Sequence, residues 1–489
     1  MFLPPKKKFR EKGETSAKNQ INNGVYTDRL SSLPDSLIHH IFSFMDTTAV
    51  VQSGILSNRW KALWMSAPTL NFDLEYWRSK HPQYYQSDLS ERFHKFINII
   101  HNVLNCRDES KLRKFSLSAS FNNRFCYHLP RINSWLVRVL ECGVEHLALR
   151  FPLGCSEDTL EFPNDLFTST VRVLEILMDE PTIFSVSLPN IPVGSGINDL
   201  QLSGVKLPDG DVSGELVLNC GVLKNLVINH CDVHHLKVLT IASPLLEKLW
   251  VCLCVKMDDA CKTVVKIYAA KLVSLTLSLE MRLIPYAVRY SIEEDLLSLV
   301  DANVVMVTDE ADFLENFSMK ILPRIYTARK LTLSYSSTQV LAELRELQKK
   351  IPYGFHNLRY IMLLDGTWFP RHRALLNFLE SCPLLETIVW RRTWMGVRSS
   401  SLTNDAEELV PNQGAYTCLR TAEFQNIRGT DFELKFIASI LEIAIHLKKV
   451  IVEYDCNLPD TKRRELERKV LSLPLASSSV TLTLLNPST

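Results

Sequence analysis

The densest group of side chains able to do chemistry is His230-Cys231-Asp232 with His234 and His235 close behind; Cys252 and Cys254 follow. Imidazole, thiolate and carboxylate are zinc donors, but zinc needs three or four of them converging tetrahedrally. Their spacing fits no standard finger, so the residues alone favour a structural role, and no metal or cofactor is expected. The paired acids Glu293-Glu294-Asp295 and Asp309-Glu310 could supply a general acid and base, yet such runs are usually solvated faces. No P-loop, HExxH, GxSxG or dinucleotide fingerprint marks a reaction centre, and no single cysteine stands out as a nucleophile. A metal-dependent enzyme using the His230–His235 cluster remains an alternative reading. The leading expectation is a noncatalytic protein.

The elements that carry these residues are announced by composition. The chain has 489 residues, 46% of them hydrophobic and 22% charged, enough for a buried core and more than one ordinary domain. It holds 73 leucines against only 16 glycines, which points to a repeated unit and away from a glycine-rich cofactor fold. Lys+Arg 55 against Asp+Glu 54 gives a net charge of +1, too balanced for nonspecific binding to nucleic acid or an anionic membrane. No segment reaches the roughly 18–20 apolar residues of a membrane helix. Residues 1–27 form a polar, basic tail expected to be disordered, with no apolar run after its charges to make a secretory signal. Lys6, Lys7, Lys8 and Arg10 resemble a short nuclear import signal. The 12 cysteines are scattered without CxxC pairs, so a reduced compartment, cytoplasm or nucleus, is expected.

One apolar template recurs through the body: an apolar residue, two variable ones, an anchor, one variable, and another apolar residue. It reads as Val144-Leu147-Leu149, Val171-Leu174-Ile176, Leu223-Leu226-Ile228, Leu246-Leu249-Val251, Leu272-Leu275-Leu277, Ala302-Val305-Val307, Ala328-Leu331-Leu333 and Leu447-Val450-Val452, among others, with a weaker first copy at Leu112-Phe115-Leu117. Successive anchors lie 23 to 34 residues apart, with a mean near 28. This period predicts a solenoid of short parallel strands, each followed by a return segment that stacks on its neighbour. Strand alternation then places the residues one before, one after and three after each anchor on the concave face. That register exposes Glu175, Gln201, Asn229, Lys248 and Leu364, and singles out Arg150, Trp250, Met306, Tyr360, Met362 and Arg391 as candidates for binding a protein substrate, since exposed aromatics and arginines are favoured at interface hot spots.

The front of the chain has a different pattern. Pro34 can open a helix on which Leu37, Ile38, Ile41, Phe42 and Met45 share one side. Thr47 and Thr48 could cap a second helix, and Ser57 a third bearing Trp60, Leu63 and Trp64. Three such short helices are marginal alone, so a partner or the following domain must cover some of their apolar groups.

The run from Asp28 to Trp64, with Asp-Arg-Leu-Ser, Leu-Pro-Asp, Leu-Ser and Arg-Trp…Leu-Trp in order, resembles the F-box of plant F-box proteins. It departs from the usual pattern at Asn58, Lys61 and Met45-Asp46, without losing an apolar anchor. Ala242-Ser243-Pro244-Leu245-Leu246-Glu247 and Leu379–Glu386 resemble the returns of leucine-rich repeats in the same family. Tyr416–Leu419, Gly429-Thr430, the helix-like run Glu433–Glu442, a charged helix at 462–473 and a Ser-rich close resemble the FBD domain. The resemblance implies a mixed α/β fold: a three-helix F-box (28–74), a curved leucine-rich-repeat solenoid (112–400) and a C-terminal FBD cap (410–486). It places Cys231 where repeat proteins bond a turn backbone. It also implies the substrate-recognition subunit of an SCF-type cullin–RING ubiquitin ligase. Leu33, Pro34, Leu37, Ile38, Ile41, Leu56, Trp60, Leu63 and Trp64 are then the residues that dock, or support docking of, the Skp-type adaptor. Catalysis would sit on partner subunits, and the protein substrate is not readable. A repeat scaffold without a ligase partner is a further alternative.

Overall fold

The computed structural model describes residues 30, 32–81, 89–119, 129–151, 160–178, 186–189, 195–253, 263–279, 288–306, 316–334, 354–365, 378–379, 381–393, 416–477 and 479–485. The basic tail, Cys254, Asp309 and Glu310 lie outside them. Three short helices come first: α1 (Asp35–Phe42), α2 (Thr47–Ser53) and α3 (Asn58–Met65). Ser57 caps α3, as its sequence suggests, by accepting from the Trp60 amide at 3.2 Å. The cap of α2 is Asp46 instead, which accepts from the Thr48 amide at 2.8 Å, so Thr47 and Thr48 already lie within the helix. A carboxylate at a helix N-terminus also meets the positive end of its dipole.

The strands then follow in chain order: β1 (Thr69–Asp73), β2 (Lys114–Ser118), β3 (His146–Phe151), β4 (Leu160–Glu161), β5 (Val173–Met178), β6 (Val186–Ser187) and β7 (Asp199–Ser203). Next come β8 (Glu215–Leu218), β9 (Asn225–Cys231), β10 (Val238–Ala242), β11 (Lys248–Leu253), β12 (Val264–Tyr268), β13 (Ser274–Leu279) and β14 (Arg289–Ile292). The last are β15 (Asp301–Met306), β16 (Lys330–Ser334), β17 (Tyr360–Asp365), β18 (Thr387–Arg392), β19 (Thr421–Ile427), β20 (Lys449–Tyr454) and β21 (Thr481–Leu485). Helices α4 (Leu74–Lys80), α5 (Leu89–Cys106) and α6 (Leu129–Glu141) fill the early returns; α7 (Asp431–Ile443) and α8 (Asp460–Leu471) fill the late ones.

Fifteen of the strands form one sheet, ordered β1-β2-β3-β5-β7-β9-β11-β13-β15-β16-β17-β18-β19-β20-β21. Every pair in it is parallel. Equivalent template positions face one another along it, for example Leu226 with Leu249 and Leu249 with Leu275. The inward residues of successive strands therefore stack into one continuous apolar core. The sheet starts at Thr69, one strand before the first template copy at Leu112, and ends in β21, one strand after the last at Leu447. Among the described residues three strands, β19, β20 and β21, follow residue 410.

The returns hold a second feature that the leucine template does not announce. Strands β14-β12-β10-β8 pair in parallel as a separate four-stranded sheet behind the middle of the long one. Its inward residues Leu216, Leu239, Val265 and Tyr290 are buried in the shared core. One anchor also moves. Leu275 pairs with Ala302 and Leu277 with Val304, so Ala302, not Val305, occupies the anchor position.

The helical module closes one end of this sheet. Thr47 Oγ1 accepts from the Asn71 amide at 2.6 Å, and Asp46 Oδ2 accepts from the Asp73 amide at 3.3 Å. Two edge amides of β1 are thus satisfied by side chains from the start of α2 rather than left open to another chain. At the other end, Thr430 and Glu433 form a capping box on α7. Glu433 also accepts from the Arg428 amide and lies 3.5 Å from Arg392, while Arg428 pairs with the buried Asp455. Burial alone would raise the Asp455 carboxyl; the Asn457 amide and the Arg428 guanidinium outweigh it and hold the group below its ordinary value.

Two outcomes follow. Thr47→Val keeps the shape of a buried side chain but strips the Asn71 amide of its acceptor, and should cost about 1–3 kcal/mol in urea unfolding. Because the folded Asp455 value is depressed, its contribution is complete above the unfolded value of about 3.9 and is lost as pH falls through the folded one. Asp455→Asn should therefore flatten the acid side of the stability profile measured by denaturation at successive pH values.

Candidate functional site

The first candidate surface is the outer side of the helical module. Its own core is small: Ile38, Phe42, Val50, Trp60, Leu63 and Ala67, with Phe42 and Trp60 edge-to-face at 5.5 Å. Leu33 and Trp64 pack half-buried against it, and Trp64 also touches the main core. Of the nine residues expected to dock or support docking, Ile38, Trp60 and Leu63 therefore hold the module together, whereas Pro34, Leu37, Ile41 and Leu56 reach solvent. Two more apolar residues are barer still. Phe44 is 79% exposed and Ile55 89%, against 48% for Leu37 and 64% for Leu56. Both sit in turns beside the helices, off the helical period, which is why periodicity did not select them. The Phe44 ring lies edge-to-face against His40 at 4.9 Å. Arg59 pairs with Asp35 and donates to the Leu33 carbonyl, tying α3 to the start of α1. The exposed apolar groups at 34–56 are thus presented by a braced frame, on a module whose α2 start is already engaged with β1.

The second candidate surface is the open face of the long sheet. Arg150 and Trp250 are exposed there, Trp250 at 47%, and Tyr360 and Met362 are half-buried. Arg391 is exposed and donates to Gln425 Oε1 at 2.6 Å. Met306 is the exception. In the β13–β15 ladder it pairs with Leu279, four positions after Ala302, and its side chain lies outside the described residues. Val389, one after its anchor, is buried beside Met362, and Cys252 is buried as well.

The remaining candidates do not converge on one pocket. Four strand steps separate Arg150 from Trp250 and four more separate Trp250 from Tyr360, about 19 Å each at the usual strand spacing. Tyr360, Met362 and Arg391 do share adjacent strands. Burial pushes the Tyr360 hydroxyl up, Glu423 adds to this and Arg391 opposes it, so the three belong to one electrostatic neighbourhood. On β3 and β5, His146 pairs with Glu175 at 2.9 Å near Arg150, and this contact holds the Glu175 carboxyl low.

The histidine cluster separates into two parts. His230 is a bulged residue at φ 50°, where the β9–β11 register shifts, and the bulge turns Cys231 inward. The Cys231 thiol is buried, pushed up to about 12, and donates to the carbonyls of Leu202 and Asn229. That is the backbone role its position suggested. Asp232, His234 and His235, by contrast, bring one donor atom each to within 4.8 Å of one another.

Comparison with known proteins agrees with this geometry. Residues 103–481, over three quarters of the chain, match the family described as At1g61320/AtMIF1, LRR domain, and residues 30–71 match the F-box domain. The chain belongs to the plant F-box/leucine-rich-repeat family. It is 26% identical over 483 residues to the putative F-box/FBD/LRR-repeat protein At1g66300 of Arabidopsis thaliana, covering 95% of each chain. It is likewise 26% identical to the F-box/FBD/LRR-repeat protein At5g22660 of that plant, over 88% of this chain and 90% of that one. With the putative F-box/LRR-repeat protein At4g15060 it shares 30% identity over 234 residues, 47% of this chain and 51% of that protein. The F-box match begins at residue 30 and ends within β1, so the F-box and the first strand of the repeat sheet meet there without a linker.

The two rows of each repeat strand should separate under substitution. Trp250→Ala and Tyr360→Ala should each change stability by about 1 kcal/mol or less. Leu249→Ala, one residue away on the inward row, should cost about 2–5 kcal/mol in the same urea titration.

Proposed function

We propose that this protein is the substrate-recognition subunit of an SCF-type cullin–RING ubiquitin ligase, its F-box docking a Skp-type adaptor and its repeats binding a protein substrate. The observation that carries the reading is the state of the F-box. Its core is closed and its α2 start is bound to β1, yet Leu37, Ile41, Phe44, Ile55 and Leu56 remain exposed. So many bare apolar residues in so small a unit join neither core among the described residues and fit burial by a partner. Within this reading Phe44 and Ile55 are the central anchors, Leu37, Ile41, Leu56 and Pro34 surround them, and Leu33 and Trp64 support the face from behind.

Substrate would lie on the open face of the sheet, at Trp250 or across Tyr360, Met362 and Arg391. These aromatic, thioether and guanidinium groups stand on rigid strands and need little ordering on binding. The protein contributes proximity rather than bond chemistry: holding a substrate beside a transfer centre on another subunit raises its local concentration there. The segment at 410–486 is the FBD of this arrangement, and its strands extend the same sheet.

A Phe44→Ala/Ile55→Ala double variant should bind recombinant Skp-type adaptor at least about tenfold more weakly, because each lost anchor is worth upward of about 1 kcal/mol. Its thermal unfolding should match that of the parent chain. Leu33→Ala/Pro34→Ala should weaken the same complex. Unchanged adaptor affinity in a folded Phe44/Ile55 variant would remove the docking assignment.

A further inference from the structure

We propose that Asp232, His234 and His235 form a binding site for a divalent transition metal of the zinc class, a site independent of adaptor and substrate binding. The three residues follow β9 on a turn whose backbone is fixed at several points. Asp232 pairs as a parallel bridge with Lys206, and its amide donates to the Val205 carbonyl at 2.9 Å. The Leu207 amide donates to the Asp232 carbonyl at 3.1 Å, and the Leu236 amide to that of Val233 at 2.9 Å. Buried Val233 and Leu236 anchor the same turn in the core between and beyond the candidate ligands. The ligands thus project from a rigid support rather than from a free loop.

The donor set is two imidazoles and one carboxylate, suited to zinc and its neighbours in the first transition row. One atom from each already lies within 4.8 Å of the others. Ligands about 2.1 Å from a tetrahedral zinc stand about 3.4 Å apart, so modest side-chain rotations close the set. His234 Nδ1 is hydrogen-bonded to Asp232 Oδ1, so two of the three are in contact without an ion.

His235 supplies the observation that points to a ligand. Its Nε2 donates to the Pro208 carbonyl at 3.2 Å, with Asp209 Oδ1 a further neighbour at 3.6 Å. Its Nδ1 is buried and meets no hydrogen-bond partner among the described residues. A neutral imidazole that donates from Nε2 carries a bare lone pair on Nδ1, and burying that lone pair unpaired costs free energy. An imidazole with one N–H given to a backbone carbonyl and the other nitrogen unpartnered is the arrangement that orients a metal ligand. Linear finger spacing disfavours a metal only while His230 and Cys231 are counted among the ligands. The fold removes both from the set, His230 as a bulge and Cys231 as a buried thiol bonded to backbone. A bound ion would fasten the turn at 232–236 from which β10 departs, leaving one coordination position to water.

The test uses the full chain with zinc, and with cobalt as a spectroscopic probe. Calorimetry should find one saturable zinc equivalent in the parent chain and none in His234→Ala/His235→Ala. Asp232→Asn should bind about tenfold more weakly or worse. Bound cobalt should show ligand-field bands of a nitrogen and oxygen site, without thiolate charge transfer, and zinc should raise the melting temperature of the parent but not of the double variant. Adaptor affinity should be equal with and without zinc. Absence of saturable binding in the parent would overturn the proposal. So would an unchanged stoichiometry in the double variant, or thiolate bands that assign the metal to cysteines. Should the double variant fail to fold, Asp232→Asn alone decides the matter by the same titration.

Discussion

Parallel, in-register pairing between neighbouring strands is the constraint from which the rest follows. A single repeat of this chain has two or three inward apolar residues on a strand of five or six, far too little to bury by itself. Burial comes only when the same positions of the next strand lie alongside, as Leu200 lies beside Leu226, Leu226 beside Leu249 and Leu249 beside Leu275. A slip of one residue would send each inward row to solvent, so register is held at every step by the core it creates. That same alternation determines which residues are available for recognition. Trp250 is exposed because Leu249 and Val251 are not.

While the strand positions are fixed, the returns are free to differ, because a return need only span the turn and cover the core. A helix advances about 1.5 Å per residue and a strand about 3.3 Å, so a helical return uses more residues to cover the same length. The early return that holds the 13-residue helix α6 lies between anchors 32 residues apart. The return that holds the five-residue strand β10 lies between anchors only 23 apart. The difference between these two intervals thus follows the secondary structure of the return, and among the described residues the back of the solenoid carries helices towards both ends and the second sheet in the middle.

The inward rows were legible because leucine, isoleucine and valine recurring at a fixed interval require a repeated buried row to receive them. They failed at one place for a physical reason. In Leu299–Val307 the template fits both Ala302-Val304 and Val305-Val307, and the larger side chains drew the assignment three residues too far. The fold prefers Ala302, which keeps pace with Leu275 and Leu331 on either side. The second sheet was invisible because segments such as Val238–Ala242 are apolar in either secondary structure, and only their neighbours decide between them. The cap of α2 was displaced by one residue because aspartate and threonine both cap well, and Asp46 has the further task of bonding β1. Phe44 and Ile55 escaped because a turn has no period to read. The Asp232–His235 set was named in the sequence but discounted as a metal site on its spacing, because what brings its members together is a backbone ladder to residues 205–207.

The F-box has two sides of different character. Through Asp46 and Thr47 it satisfies the edge of β1; through Phe44 and Ile55 it leaves an apolar surface bare. No linker intervenes, so this apolar surface and the open face of the long sheet belong to one hydrogen-bonded frame. Trp250 stands six strand steps from β1 and Tyr360 ten, about 29 and 48 Å measured along the sheet. A flexible tether of that reach would spread a captured substrate through a large volume and dilute its effective concentration. In the proposed role a continuous sheet would instead set the position by counting strands, and the length of the repeat array would determine where a bound protein is presented. Inserting or deleting one repeat would shift that position by about 4.8 Å per strand without altering any contact in either surface.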